Sequence, residues 1–181
     1  GYSWFRDDQA FNRINFYADF DTTHRYDGQL LERELEAQVS AQGPKQSNLR
    51  LHGLVRDRYW KGRMFDEHYV DANANFRPNG RLQVGMYVQA GTLLDLAASK
   101  TGQRTMVELY GNANIGRGIA MDWDIVHQRM RRDGGTAFEA VVANASGSWQ
   151  FDPRQRLRLT LQGSEVTRDP ALYLQPVNET A

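Results

Sequence analysis

The chain has 181 residues, with 22 basic and 22 acidic side chains and a net charge of zero. Balanced charge supplies no long-range field to draw in nucleic acid, and no Lys/Arg stripe marks a face for it. Cysteine is absent, which excludes disulfides, thiolate zinc sites and cysteine nucleophiles, and no run of about 18 apolar residues could form a membrane helix.

The length fits a single domain, 1–181, with 169–181 reading as a loop or tail. No signal peptide is visible, as expected of a mature or excised segment. The cations are arginines apart from Lys45, Lys61 and Lys100, and arginine suits fixed, bidentate pairing with carboxylates.

Taken in chain order, nearly every segment alternates apolar and polar residues, the period of a β-strand. The first predicted strand, about residues 12–26, sets Ile14, Phe16, Ala18 and Phe20 against Asn15, Tyr17, Asp19 and Asp21, and turns at Asp27-Gly28. The second, about 29–42, sets Leu31, Leu35, Ala37 and Val39 against Glu32, Glu34, Glu36 and Gln38, and ends at Gly43-Pro44. The third, about 48–61, opposes Leu49, Leu51, Gly53 and Val55 to Arg50, His52, Arg56 and Arg58. The fourth, about 68–77, opposes Val70, Ala72, Ala74 and Phe76 to Asp71, Asn73, Asn75 and Arg77, and turns at Pro78-Asn79-Gly80.

The fifth strand carries Leu82, Val84, Met86, Val88 and Ala90. A break follows around Leu93–Arg104, in which Leu93–Lys100 reads as a short helix. The sixth, about 104–115, carries Val107, Leu109, Ala113 and Ile115; Gly116-Arg117-Gly118 then turns into a seventh with Ile119, Met121, Trp123 and Ile125 opposite Asp122 and Asp124. After Asp133-Gly134 the eighth, about 136–151, has an ambiguous phase at Val141-Val142. Asp152-Pro153 leads into the ninth, where Leu157, Leu159 and Leu161 oppose Arg156 and Arg158.

Several of these strands run well beyond the usual length of about 5–6 residues. Turns after the second, fourth, sixth and eighth strands read as tight, and those after the third and fifth as longer. Aromatics near strand ends (Tyr59, Trp60, Tyr69, Phe76, Trp149, Phe151) suit an interfacial girdle. A face this ionic belongs against water or in a salt-bridge network. The fold expected is therefore an all-β, antiparallel up-and-down meander of about nine strands, forming all or part of a membrane-type β-barrel.

The stretch Phe138–Asp169, FEAVVANASGSWQFDPRQRLRLTLQGSEVTRD, resembles the C-terminal region of a family of bacterial outer-membrane proteins of unknown function. Its carriers are Trp149-Gln150-Phe151, the Asp152-Pro153 turn and the RLRLTLQ strand; residues 12–38 and 109–118 look like hairpins of the same family. Members join an N-terminal carbohydrate-binding module of the family-nine type to a C-terminal barrel. The resemblance implies that only part of the barrel is present. It carries over no sugar-binding residues, and the final strand ending in an aromatic is missing.

Carboxylates two apart on one strand face (Glu32/Glu34/Glu36, Asp19/Asp21, Asp122/Asp124) lie about 6–7 Å from one another. Such pairs could hold Ca²⁺ or serve as acid and base. The ordinary reading is cross-strand pairing with Arg50, Arg56, Arg58, Arg156 and Arg158. His24, His52, His68 and His127 show no metal-ligand spacing, and Asp66-Glu67-His68 reads as a solvated loop. Gly111–Gly118 lacks the Lys-Ser/Thr of a phosphate loop, and no Gly-x-Ser-x-Gly elbow occurs.

The expectation is thus a non-enzymatic outer-membrane barrel segment without cofactor or metal, and the family resemblance implies a link to carbohydrate binding or passage at the bacterial surface. Asp19, Asp21, Glu32, Glu34, Glu36, Arg50, Arg56, Arg58, Asp122, Asp124, Arg156 and Arg158 would line its lumen. Its partners would be outer-membrane lipid, a carbohydrate ligand and a second copy through an open sheet edge. The alternative is a soluble all-β ligand-binding module, a sandwich or calyx, with the apolar face as its core.

Overall fold

The computed structural model describes residues 1–5, 10–116 and 118–173. Ten strands form one antiparallel sheet in strict sequence order: β1 (Tyr2–Phe5), β2 (Arg13–His24), β3 (Leu30–Gly43), β4 (Ser47–Trp60), β5 (Arg63–Asn79), β6 (Leu82–Asp95), β7 (Lys100–Ile115), β8 (Ile119–Arg132), β9 (Gly135–Asp152) and β10 (Gln155–Arg168). Every strand pairs with its chain neighbour, which is the meander expected. Among the described residues nothing pairs β1 with β10, so the sheet is open.

The tenth strand is β1, which pairs with Arg13–Phe16. Its four residues are too few to display a period, and the expected count of nine missed it. The turn after β4 is also shorter than expected: Lys61 and Gly62 alone connect β4 to β5. Both have positive φ, 46° and 91°, the primed geometry whose twist matches two flanking strands. Consequently Asp66, Glu67 and His68 lie within β5 rather than in a loop.

The break after the fifth predicted strand also closes up. β6 continues to Asp95 and β7 begins at Lys100, with no helix between them. The Asp95 carboxylate accepts from the backbone N–H groups of Ala97 (3.0 Å) and Ala98 (3.3 Å), which holds the chain in a turn. At the end of β8, a bulge between Met130 and Arg131 shifts the register against β9. Beyond β10, Pro170–Leu172 form one 3-10 turn capped by Asp169. Arg117, Gln175-Pro176 and the rest of the tail from residue 174 lie outside the described residues.

Residues opposite one another in the ladders share a face, so the register assigns every side chain. One row reads Asp19, Glu36, Leu54, Tyr69, Gly91, Arg104, Met130 and Phe138; a row on the other face, three positions along each strand, reads Phe16, Val39, Leu51, Ala72, Val88 and Val107. By this parity Trp60 and Tyr69 stand on the polar face, which removes them from the expected girdle. Phe76 and Trp149 stand on the apolar face.

Candidate functional site

The register places all twelve charged residues named from the sequence on one face. Only some of them touch. Arg56 is central: its Nε and Nη2 donate to Glu67 Oε2 at 3.0 and 2.8 Å, and its Nη1 lies 3.4 Å from Glu34 and 3.9 Å from Glu32. Glu67 is nearly sealed from solvent, with 2% of its side chain exposed, and its other oxygen accepts from the Leu94 N–H at 2.8 Å. Beside this cluster, Asp71 accepts from Arg50 at 3.0 Å and bonds His52 Nδ1 at 2.7 Å, while His52 Nε2 lies 3.2 Å from Glu36.

Asp19 and Asp21 stand directly across from Glu36 and Glu34, so the β2–β3 side of this face is acidic. Arg58 faces Glu32 in register. Asp122 accepts from Ser146 at 2.5 Å and Asp124 from Asn144 at 2.9 Å. Arg156 and Arg158 do not meet the glutamates as expected, because β10 has only β9 beside it; Arg156 donates instead to Ser148 at 3.0 Å. Among the described residues, no group of three or more His, Asp or Glu converges as metal ligands would.

Alternation puts Asp71 on this face without marking it as a lining residue, and it misses Glu67, Asp95 and Arg132 as members of the face. Had Lys61-Gly62 been read as a two-residue turn, alternation from Arg63 would have put Glu67 in phase with Asp71. Arg132 and Asp95 make a buried pair at 2.5 Å. The same guanidinium donates to the Leu172 carbonyl at 2.5 Å and stacks 4.6 Å from the Tyr173 ring. The 3-10 turn after β10 is thereby folded back onto the polar face, where Leu172 packs on Leu93, Met130 and Ala137. Burial there pushes the Tyr173 phenol above its ordinary value, and the Asp95 carboxylate adds to the effect.

The opposite face has the inverse character. Val70, Val55, Leu159 and Leu35 are 64, 61, 60 and 54% exposed, and no large side chain is fully buried among the described residues. The core that a sandwich or calyx would build from these residues is therefore not formed. The apolar positions make a band across the sheet, from Val141 to Trp149 on β9 and from Val107 to Ile115 on β7. The band abuts the turns at 44–46, 80–81 and 153–154 and reaches Ile115 at the end of β7. Toward the other end the outward positions turn polar: Arg33, Asp57, His68, Gln103, Arg129 and Glu165.

No family model matches the sequence, and no curated protein matches it. Among solved structures, the chain is similar to an outer-membrane barrel, OccK2 (OpdF) of Pseudomonas aeruginosa, with a TM-score of 0.54 and 13% identity. The match covers 93% of this chain and 56% of OccK2, so the chain spans little more than half the length of that barrel. The fold is that of an outer-membrane-type β-barrel wall, here as an open ten-stranded sheet.

Proposed function

We propose that this chain is a non-enzymatic wall segment of a bacterial outer-membrane channel, with its ionic face toward an aqueous passage and its apolar face toward lipid. The observation that carries the reading is the inversion of the two faces. Large aliphatic side chains occupy the open face, while carboxylates and guanidiniums interlock on the more sheltered one. In water the open band would expose apolar surface far beyond the few hundred Å² usual on a soluble monomer. In a bilayer it matches the lipid-facing band of about 25 Å that barrels present.

Strand length supports the same reading. Strands of 14 to 18 residues exceed the 9–11 or so needed to cross a bilayer, and the surplus extends beyond the apolar band at one end only. The acidic β2–β3 side favours cations in the passage, and the Asp122–Ser146 and Asp124–Asn144 pairs offer the acceptors and donors that bond hydroxyl groups. Carbohydrates are accordingly the solute class we propose, in line with the resemblance of residues 138–169. Self-association or pairing with further strands would close the open edge.

The test is behaviour with and without lipid. The purified chain should aggregate in buffer and become β-rich and protease-resistant only with detergent or phospholipid vesicles. A monodisperse, β-rich chain in detergent-free buffer would overturn the proposal.

A further inference from the structure

The apolar face is not flat. A trough of about 620 Å³ crosses β3 to β7, lined by Ala37, Gly53, Val70, Ala90, Thr105 and Val107 among others. Its small side chains leave the space; a Cβ built on Gly53 would come no closer than 3.8 Å to any neighbour. At its β7 end Thr105 stands directly across from Arg129, and Gln103, two positions on, stands across from Arg131. Direct cross-strand partners have Cα atoms about 4.5–5.5 Å apart, so Arg129 and Arg131 stand on the strand next to the trough's β7 wall.

These two arginines differ from Arg33, which occupies the same polar rim but is tied to Asp57. Arg129 donates to the Thr136 hydroxyl at 2.8 Å, and among the described residues neither Arg129 nor Arg131 has a carboxylate within 4 Å. Glu139 faces Arg129 in register but is bonded to His127 at 2.9 Å. Arg129, Arg131 and Glu139 together leave one net positive charge. Beside it a chain of polar groups runs from His68 through Thr92 (3.2 Å) to Gln103 (2.8 Å).

Resting on the membrane reading above, we propose that this place binds one phosphorylated membrane lipid, with an acyl chain in the trough and the phosphate on Arg129 and Arg131. The arrangement matches both halves of such a molecule. The trough is apolar and opens on the hydrocarbon side. Arg129 and Arg131 occupy outward positions where the band gives way to polar residues, the depth of a headgroup, and guanidiniums offer paired N–H donors to phosphate oxygens. A choline headgroup would place its cation beside the same guanidiniums and gain less.

The test compares spin-labelled phosphatidic acid with spin-labelled phosphatidylcholine, each as a trace probe in phosphatidylcholine vesicles containing the chain. The motionally restricted fraction should favour phosphatidic acid by roughly five- to thirty-fold, the size expected for one or two arginine contacts. R129Q/R131Q should bring the preference close to one, and R33Q should keep it. G53L, which fills the trough, should lower the phosphatidic acid fraction with both arginines intact. No preference in the unsubstituted chain, or a preference that survives R129Q/R131Q, overturns the site; an unchanged fraction in G53L overturns the placing of the acyl chain. A restricted component absent for both probes means that the chain is not in the bilayer. That outcome contradicts the membrane reading itself.

Discussion

Arg56 on β4 and Glu67 on β5 are locked together: two guanidinium nitrogens share one carboxylate oxygen, at 3.0 and 2.8 Å, and the acid is almost wholly enclosed. Such a pair stabilises little by itself, but breaking it strands a buried charge. Arg56→Ala should therefore cost about 3–5 kcal/mol, whereas Arg56→Met with Glu67→Leu should cost clearly less than Arg56→Ala alone. Urea titration of the chain in vesicles or micelles measures both. A double variant as unstable as the sum of the single ones would show that the two residues are not coupled.

The Lys61-Gly62 turn sets where β5 starts and so which face Glu67 joins. Gly62 has φ +91°, so Gly62→Ala forces a Cβ into the left-handed region at roughly 1–2 kcal/mol. Gly80 lies in another tight turn without positive φ, and nothing stands within 4 Å of a Cβ there. Gly80→Ala should thus be close to neutral in the same titration.

Arg132 ties the segment after β10 to the polar face through the Leu172 carbonyl and the Tyr173 ring. Hydrogen bonds from a charged donor are worth about 1.5–3 kcal/mol, so Arg132→Met combined with Asp95→Asn, which leaves no buried charge unpaired, should free the segment. Trypsin cleavage after Arg168 should then accelerate by roughly tenfold or more, while the strands stay protected. Equal cleavage rates in both proteins would mean that the segment is held by something else.

Depth within the apolar band gives another gradient. Leu109 lies inside the band on β7 and Ile115 at its edge, next to the turn. In a bilayer Leu109→Arg should cost about 2–4 kcal/mol and Ile115→Arg about 0–1. Folding free energies in vesicles would show it, and equal costs at the two positions would argue against a band set by membrane depth.

Alternation makes the sheet legible in the sequence, because a period of two survives in every strand long enough to repeat it. Phe16, Val39, Leu51 and Val107 fell on one face and Glu36, His52 and Asp124 on the other without further information. What alternation does not encode is where a strand begins. Lys61-Gly62 looks no more like a turn than many dipeptides, so Asp66-Glu67-His68 read as loop, and the most enclosed acid of the polar face was overlooked. Asp95 read as part of a helix because Leu93–Lys100 is locally helix-compatible. Its role as a turn cap and as partner of Arg132, distant in sequence, depends on the strands being aligned first. The pairings on the polar face were legible only as types: Arg56 finds Glu34, while Arg156 and Arg158 do not, and strand order alone decides that difference.

The four tryptophans offer the most direct measurement. Trp123 stands on the apolar face with Ile125, and Trp60 on the polar face with Arg56 and Arg58. Two single-tryptophan variants, each with the other three replaced by phenylalanine, can be placed in vesicles of phosphatidylcholine brominated along the acyl chains. Fluorescence of the Trp123 protein should be strongly quenched and that of the Trp60 protein largely spared. Quenching of Trp60 as strong as that of Trp123, or of neither, would contradict an apolar face turned to lipid and an ionic face turned to water.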